Sequence, residues 1–170
     1  MNVLSKEEKG RTAEFLLAHP VSRARIITEK LIAVLIQITI MNLIIYALAA
    51  SSITAIGEAV PWKELSLLHL AYYILQIELA GICFGISAFI RKGSAGIGLG
   101  IAAMMYFLNL VANITEAAEL LKYITPFAYC EGADIITNGS LDKPMAAVGT
   151  AIGIAGIITA YLKYTRKDIH

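Results

Sequence analysis

LIAVLIQITIMNLIIYALAASSI, residues 31–53, runs for 23 positions without one charged side chain. A helix crosses a bilayer core with about 20 mostly apolar residues, so this stretch is long enough to span. Three more follow: residues 65–90, 94–114 and 145–162. The last is short and Gly-rich, and Tyr161 and Tyr164 anchor its end among the headgroups. The chain is 58% hydrophobic and 16% charged, with a mean hydropathy of +0.70. Soluble domains lie nearer 45–50% apolar and about 25% charged, which makes this a membrane protein by class. The expected fold is all-α: a polytopic bundle of four transmembrane helices in residues 31–170, preceded by a cytoplasmic amphipathic segment in residues 1–30. The opening is polar and charged, so none of the spans is a cleavable signal sequence.

Orientation follows from the basic residues. Lys6, Lys9, Arg11, Arg23, Arg25 and Lys30 precede the first span, Arg91 and Lys92 lie between the second and third, and Lys163, Arg166 and Lys167 end the chain. The two remaining connections hold Lys63 alone, then Lys122 and Lys143. Eleven of the 14 Lys and Arg therefore share one side. By the positive-inside rule that side is the cytoplasm, and both termini lie there. Trp62 and the Tyr72–Tyr73 pair fall near the outer interface. The expected location is the cytoplasmic membrane, multi-pass.

Glu78 is the acidic residue deep within a span. At that depth a charge costs about 2.5–3.5 kcal/mol on insertion scales, so it must face the bundle interior or water, or stay protonated. Ala71, Ile74, Glu78, Gly81, Gly85 and Ala88 fall along one helical stripe rich in small residues. The functional reading of Glu78 is a contact for substrate or a proton; the plainer one is a hydrogen bond to a neighbouring helix. Thr39, Asn42 and Tyr46 share a face of the first span, and Asn109 lies deep in the third. Asn42 and Asn109 are candidates for a polar path, although such residues more often join helices. Gly81/Gly85, Gly96/Gly100 and Gly149/Gly153 are small-xxx-small pairs that permit close backbone approach.

Several chemistries find no support. A net charge of +1 does not suggest nucleic acid. The glycines from Gly93 to Gly100 sit at a membrane entry with no preceding strand, so they do not make a dinucleotide loop. No Gly-x-x-x-x-Gly-Lys-Ser/Thr sequence occurs, so the chain carries no P-loop of its own. His19, His69 and His170 are scattered and lack metal-ligand spacing. Cys83 and Cys130 fall in different environments and are not expected to pair. No catalytic or metal-binding residues are expected.

Residues 115–144 form a long outer connection. Residues 117–124 read as an amphipathic turn or two ended by Thr125-Pro126. A second apolar piece, residues 127–136, ends at the turn signal Asn138-Gly139. Irregular backbone is not tolerated in lipid, so this connection should form short helices that lie at the surface or dip in.

Before the first span, residues 6–19 read as a short helix with Ala13, Leu16 and Leu17 on one side, stopped by Pro20. Ser22 then caps a new helix. The segment mixes Glu7, Glu8 and Glu14 with its bases. It suits either an anionic lipid surface or the groove of a cytosolic protein.

The run Thr12, Glu14, Leu16, Leu17, Pro20, Val21, Ser22, Arg23, followed by Lys30, resembles the cytoplasmic motif of ABC-2 permeases, the membrane subunits of type-2 ABC exporters. Arg11 stands where that family usually has Gly. Tyr123-Ile124-Thr125-Pro126-Phe127 and the closing residues 164–169 are similar to later parts of such permeases and occur in the same order. The resemblance implies that Thr12, Glu14, Leu16, Leu17, Pro20, Ser22 and Arg23 dock on a cytosolic ABC ATP-binding subunit. ATP would be bound by that partner, and this chain would be a transport subunit and not an enzyme. It further implies a second permease copy, or a companion that supplies further spans, because such permeases usually have six spans and this chain corresponds to their C-terminal two-thirds. The alternative is a non-transporting membrane scaffold, immunity or regulatory protein. The substrate is not encoded in any distinctive residue.

Overall fold

Ser22 starts the first helix by capping it: its hydroxyl accepts the Arg25 amide at 3.3 Å, satisfying one of the donors that a helix start leaves open. The computed structural model describes residues 22–89, 95–114 and 125–165. Among them are five α-helices and no strand: α1 Arg23–Ala55, α2 Trp62–Ser87, α3 Ala95–Ile114, α4 Gly132–Asn138 and α5 Lys143–Thr165, with a 3-10 turn at Ala128–Cys130. All but α4 are long and apolar enough to cross a membrane.

Local sequence explains the ends. Helix α1 stops where Gly57 takes a left-handed φ of +83°. The Gly57 amide then donates to Thr54 and the Glu58 amide to Ile53, a Schellman closure of the last carbonyls. Helix α4 ends at Gly139 with φ +59°, at the Asn138-Gly139 turn expected from sequence. Helix α5 begins after Asp142, whose carboxylate accepts the Met145 amide at 3.1 Å. Pro144 sits in its first turn, where no amide proton is needed.

The packing inverts that of a soluble protein. Ile36, Leu43, Leu48, Leu99, Phe107 and Ile158 are exposed, whereas Glu78, Ser87, Asn109 and Thr125 are buried. Lipid is as apolar as leucine, so apolar side chains have no reason to turn inward; close backbone packing and hydrogen bonds hold the helices instead. Helices α2 and α5 form the central pair, brought together by glycine. A Cβ placed at Gly81 would stand 2.5 Å from the Gly153 carbonyl oxygen, and one at Gly85 would stand 2.7 Å from that of Gly156. The Gly96/Gly100 pair behaves differently, since Gly100 faces open space.

Helix α1 joins this pair through polar rungs. Thr28 and Tyr161 share a hydrogen bond of 2.7 Å, Thr39 and Tyr73 one of 2.9 Å, and Tyr46 and Ser66 another of 2.9 Å. The Asn42 amide donates to Gln76 Oε1 at 2.7 Å. Near the start of α1, Ile27 packs with Phe84, Ala88, Ala160 and Tyr164.

At the opposite end, residues 125–139 cap the bundle and dip into it. Tyr129, Cys130 and Ile135 are buried against Ala71 and Leu75 of α2. The Cys130 thiol donates to the Ala71 carbonyl at 3.5 Å. Ala71 lies about 13 Å along α2 from its start at 1.5 Å per residue, so the capping segment descends well below the helix ends.

Candidate functional site

Among the described residues, those that sequence singles out fall mainly at two places. The first is the beginning of α1. Thr12, Glu14, Leu16, Leu17 and Pro20 lie outside the described residues. Ser22 is the cap of α1, and Arg23 is its first residue. The motif therefore runs into a rigid helix of 33 residues with no intervening turn after Ser22. At 1.5 Å per residue that rod is about 50 Å long.

The second is the seam between α2 and α5. Glu78 is 1% exposed and about 24 Å along α2 from its start, far below the headgroups. The backbone of α5 passes directly beneath its carboxyl: a Cβ at Gly149 would stand 2.5 Å from Oε2, and one at Gly153 would stand 3.0 Å from the Glu78 Cα. Glu78 Oε1 lies 3.2 Å from the Thr150 hydroxyl. Oε2 and the Tyr129 hydroxyl are buried, and neither meets hydrogen-bond geometry with any partner, although the two groups lie close enough to interact.

Tyr129 links this seam to a cavity of about 310 Å³ at the capped end, lined by Asn113, Tyr129, Glu131, Asp134, Asn138 and Asp142 among others. Three carboxylates and two amides make its wall polar and acidic. The Asn113 amide donates to Glu131 Oε2 at 2.6 Å, which ties the end of α3 to the capping segment. Burial raises the ionisation of the Tyr129 phenol above its ordinary range and pushes the Cys130 thiol up to about 12. Cys83 and Cys130 are both free thiols. No cluster of metal-ligating side chains occurs among the described residues.

The remaining candidates are apart from this seam. Asn42 sits on α1 with its amide engaged by Ile38 and Gln76. Asn109 on α3 is 7% exposed, and its Oδ1 has no partner. His69 bonds the Leu65 carbonyl through Nδ1 and packs edge-on against Tyr46, away from Glu78. Sequence reading missed Tyr129 and Thr150 as neighbours of Glu78. The Gly149/Gly153 pair was visible, but its partner was not, because nothing local in α5 refers to a glutamate 71 positions earlier.

Residues 1–169 match the family model described as "ABC-2 family transporter protein". Neither the curated proteins nor the solved structures compared with the chain gave a match.

Proposed function

The chain belongs to the ABC-2 family of transporter proteins, and from that premise we propose that it is the permease subunit of an ABC exporter in the cytoplasmic membrane. A separate cytosolic subunit binds and hydrolyses ATP; this chain supplies spans and a docking segment, with both termini in the cytoplasm. The observation that supports the reading is that Ser22 caps α1 and Arg23, its neighbour in the proposed docking motif, is the first residue of that helix.

The mechanism is a population shift. ATP binding favours one arrangement of two nucleotide-binding subunits, and the segment from Thr12 to Arg23 follows them. Glu14 and Arg23 make polar contacts with the partner, and Leu16 and Leu17 are the apolar anchors. A displacement of Ser22 enters α1 without a hinge. It then reaches α5 through the Thr28–Tyr161 rung and α2 through the Thr39–Tyr73 and Asn42–Gln76 rungs. Packed helices respond to such a pull by rigid-body or shear motion. A second copy, or companion spans, completes the pathway.

The test is a mild-detergent pull-down of the tagged chain from its native membranes, followed by mass spectrometry. A Walker-motif ATPase is expected with the wild type and is expected to be lost with Leu17→Asp, which still inserts. Equal retention by the variant overturns the docking assignment. No ATPase with either protein overturns the exporter reading in favour of a non-transporting scaffold or regulatory protein.

A further inference from the structure

Thr150 has one hydroxyl hydrogen and two neighbours to satisfy: the Ala146 carbonyl at 2.8 Å and Glu78 Oε1 at 3.2 Å. Two other threonines show how this conflict is settled here. Thr28 donates to Ala24 at 2.8 Å and lies 2.7 Å from the Tyr161 hydroxyl. Thr39 donates to Leu35 at 2.8 Å and lies 2.9 Å from the Tyr73 hydroxyl. In both, the threonine has a short back-bond to its own helix and a tyrosine hydroxyl beside it that is able to donate the second bond. Thr150 has the same short back-bond, and its single hydrogen serves either Ala146 or Glu78 Oε1; with the hydrogen on Ala146, its oxygen accepts and Glu78 is the donor. A carboxylate has no hydrogen to give; a carboxylic acid has one.

The surroundings agree. Oε2 is buried, with the Gly149 backbone packed against the carboxyl. The titratable groups facing Glu78 are Tyr129 and Cys130 of the capping segment. Helix α5 presents Gly149, Thr150 and Gly153, and on α2 itself Tyr73 and Cys83 stand five positions away and His69 nine. On α1, the groups that reach α2 beside Glu78, Thr39 and Asn42, do not titrate. Among the described residues no cation forms an ion pair with Glu78. An unpaired carboxylate in such a site is strongly disfavoured.

We propose that Glu78 is a proton-binding site, filled while α2, α5 and Tyr129 are packed together, with the bound proton donated to Thr150 Oγ. Opening this seam admits water and releases the proton. Separation of α5 from α2 is therefore linked to the loss of one proton per chain, and higher pH favours the opened arrangement. This inference does not depend on the exporter reading.

The experiment is infrared difference spectroscopy of the full chain in lipid nanodiscs, in H2O and D2O at neutral pH. The wild type is expected to show a buried carboxylic-acid C=O band that is lost in Glu78→Gln and shifted in Thr150→Val, which removes the acceptor. Absence of that band in folded wild type overturns the proposal, as does its persistence in folded Glu78→Gln. Carboxylate bands that move when Na⁺ replaces K⁺ overturn it in favour of a bound metal cation. Should Glu78→Gln fail to fold, Thr150→Val decides, since a band unmoved by loss of the acceptor cannot belong to Glu78.

Discussion

The carboxyl of Glu78 rests on the bare backbone of Gly149: a methyl group there would stand 2.5 Å from Oε2 and 2.7 Å from Oε1. The largest polar side chain buried in α2 is thus accommodated by the absence of a side chain in α5. Gly149→Ala should lower stability by about 1–3 kcal/mol through overpacking. Shortening the partner removes the clash, so the same substitution in a Glu78→Ala background should cost clearly less. Thermal unfolding of all four proteins in one detergent checks this; equal costs in both backgrounds would rule out the contact.

The glycines of the seam should be sharply unequal to those elsewhere. Gly81→Ala and Gly156→Ala each place a Cβ 2.5 Å from a backbone oxygen that cannot rotate away. Both should therefore reduce the melting temperature, by an amount corresponding to about 1–3 kcal/mol. Gly100→Ala meets nothing within 4 Å and should be neutral or slightly stabilising, because alanine is the better helix former. A melt series on the three variants decides it.

Cys130 reports on the seating of the capping segment. Burial pushes its thiol from an ordinary value near 9 up to about 12, so at neutral pH it should react with a maleimide far more slowly than a free thiol does. In a Cys83→Ala chain, Ile135→Asp should unseat the segment and expose the thiol. Because the folded value is the raised one, its contribution to stability is complete below about pH 9 and is lost as the pH rises toward about 12. Rapid labelling of folded Cys83→Ala at pH 7 would contradict this placement.

The rungs between α1 and α2 should be individually weak. Thr39→Val and Tyr73→Phe should each cost roughly 0.6 kcal/mol, the scale of interhelical hydrogen bonds in membranes. Together they should cost little more than either one, because both remove the same 2.9 Å bond. A double-mutant cycle on unfolding is the measurement, and full additivity would mean that the bond is not formed.

Much of this protein was legible along the chain. The uncharged run of residues 31–53, the cap at Ser22 and the turn at Asn138-Gly139 are local features. Local hydrogen bonding and hydrophobic length decide them wherever the rest of the chain lies. The spans, the start of α1 and the end of α4 could therefore be read directly. The inward-dipping option for residues 127–136 was also visible, because bare backbone cannot remain in lipid.

Pairing was not legible. Gly81/Gly85, Gly96/Gly100 and Gly149/Gly153 look alike in sequence, yet Gly81, Gly85 and Gly153 meet across one seam while Gly100 meets nothing. Likewise Glu78 announced that it needed shelter without naming Gly149, Thr150 or Tyr129. By itself the sequence determined the four long apolar helices fit to cross a membrane, since those depend on apolar length and local capping; the helices expected over residues 6–19 and 117–124 lie outside the described residues. Tertiary structure alone decided which faces touch. Lipid offers every apolar face the same welcome, so the choice falls to backbone fit and to a few polar groups 20 to 133 positions apart.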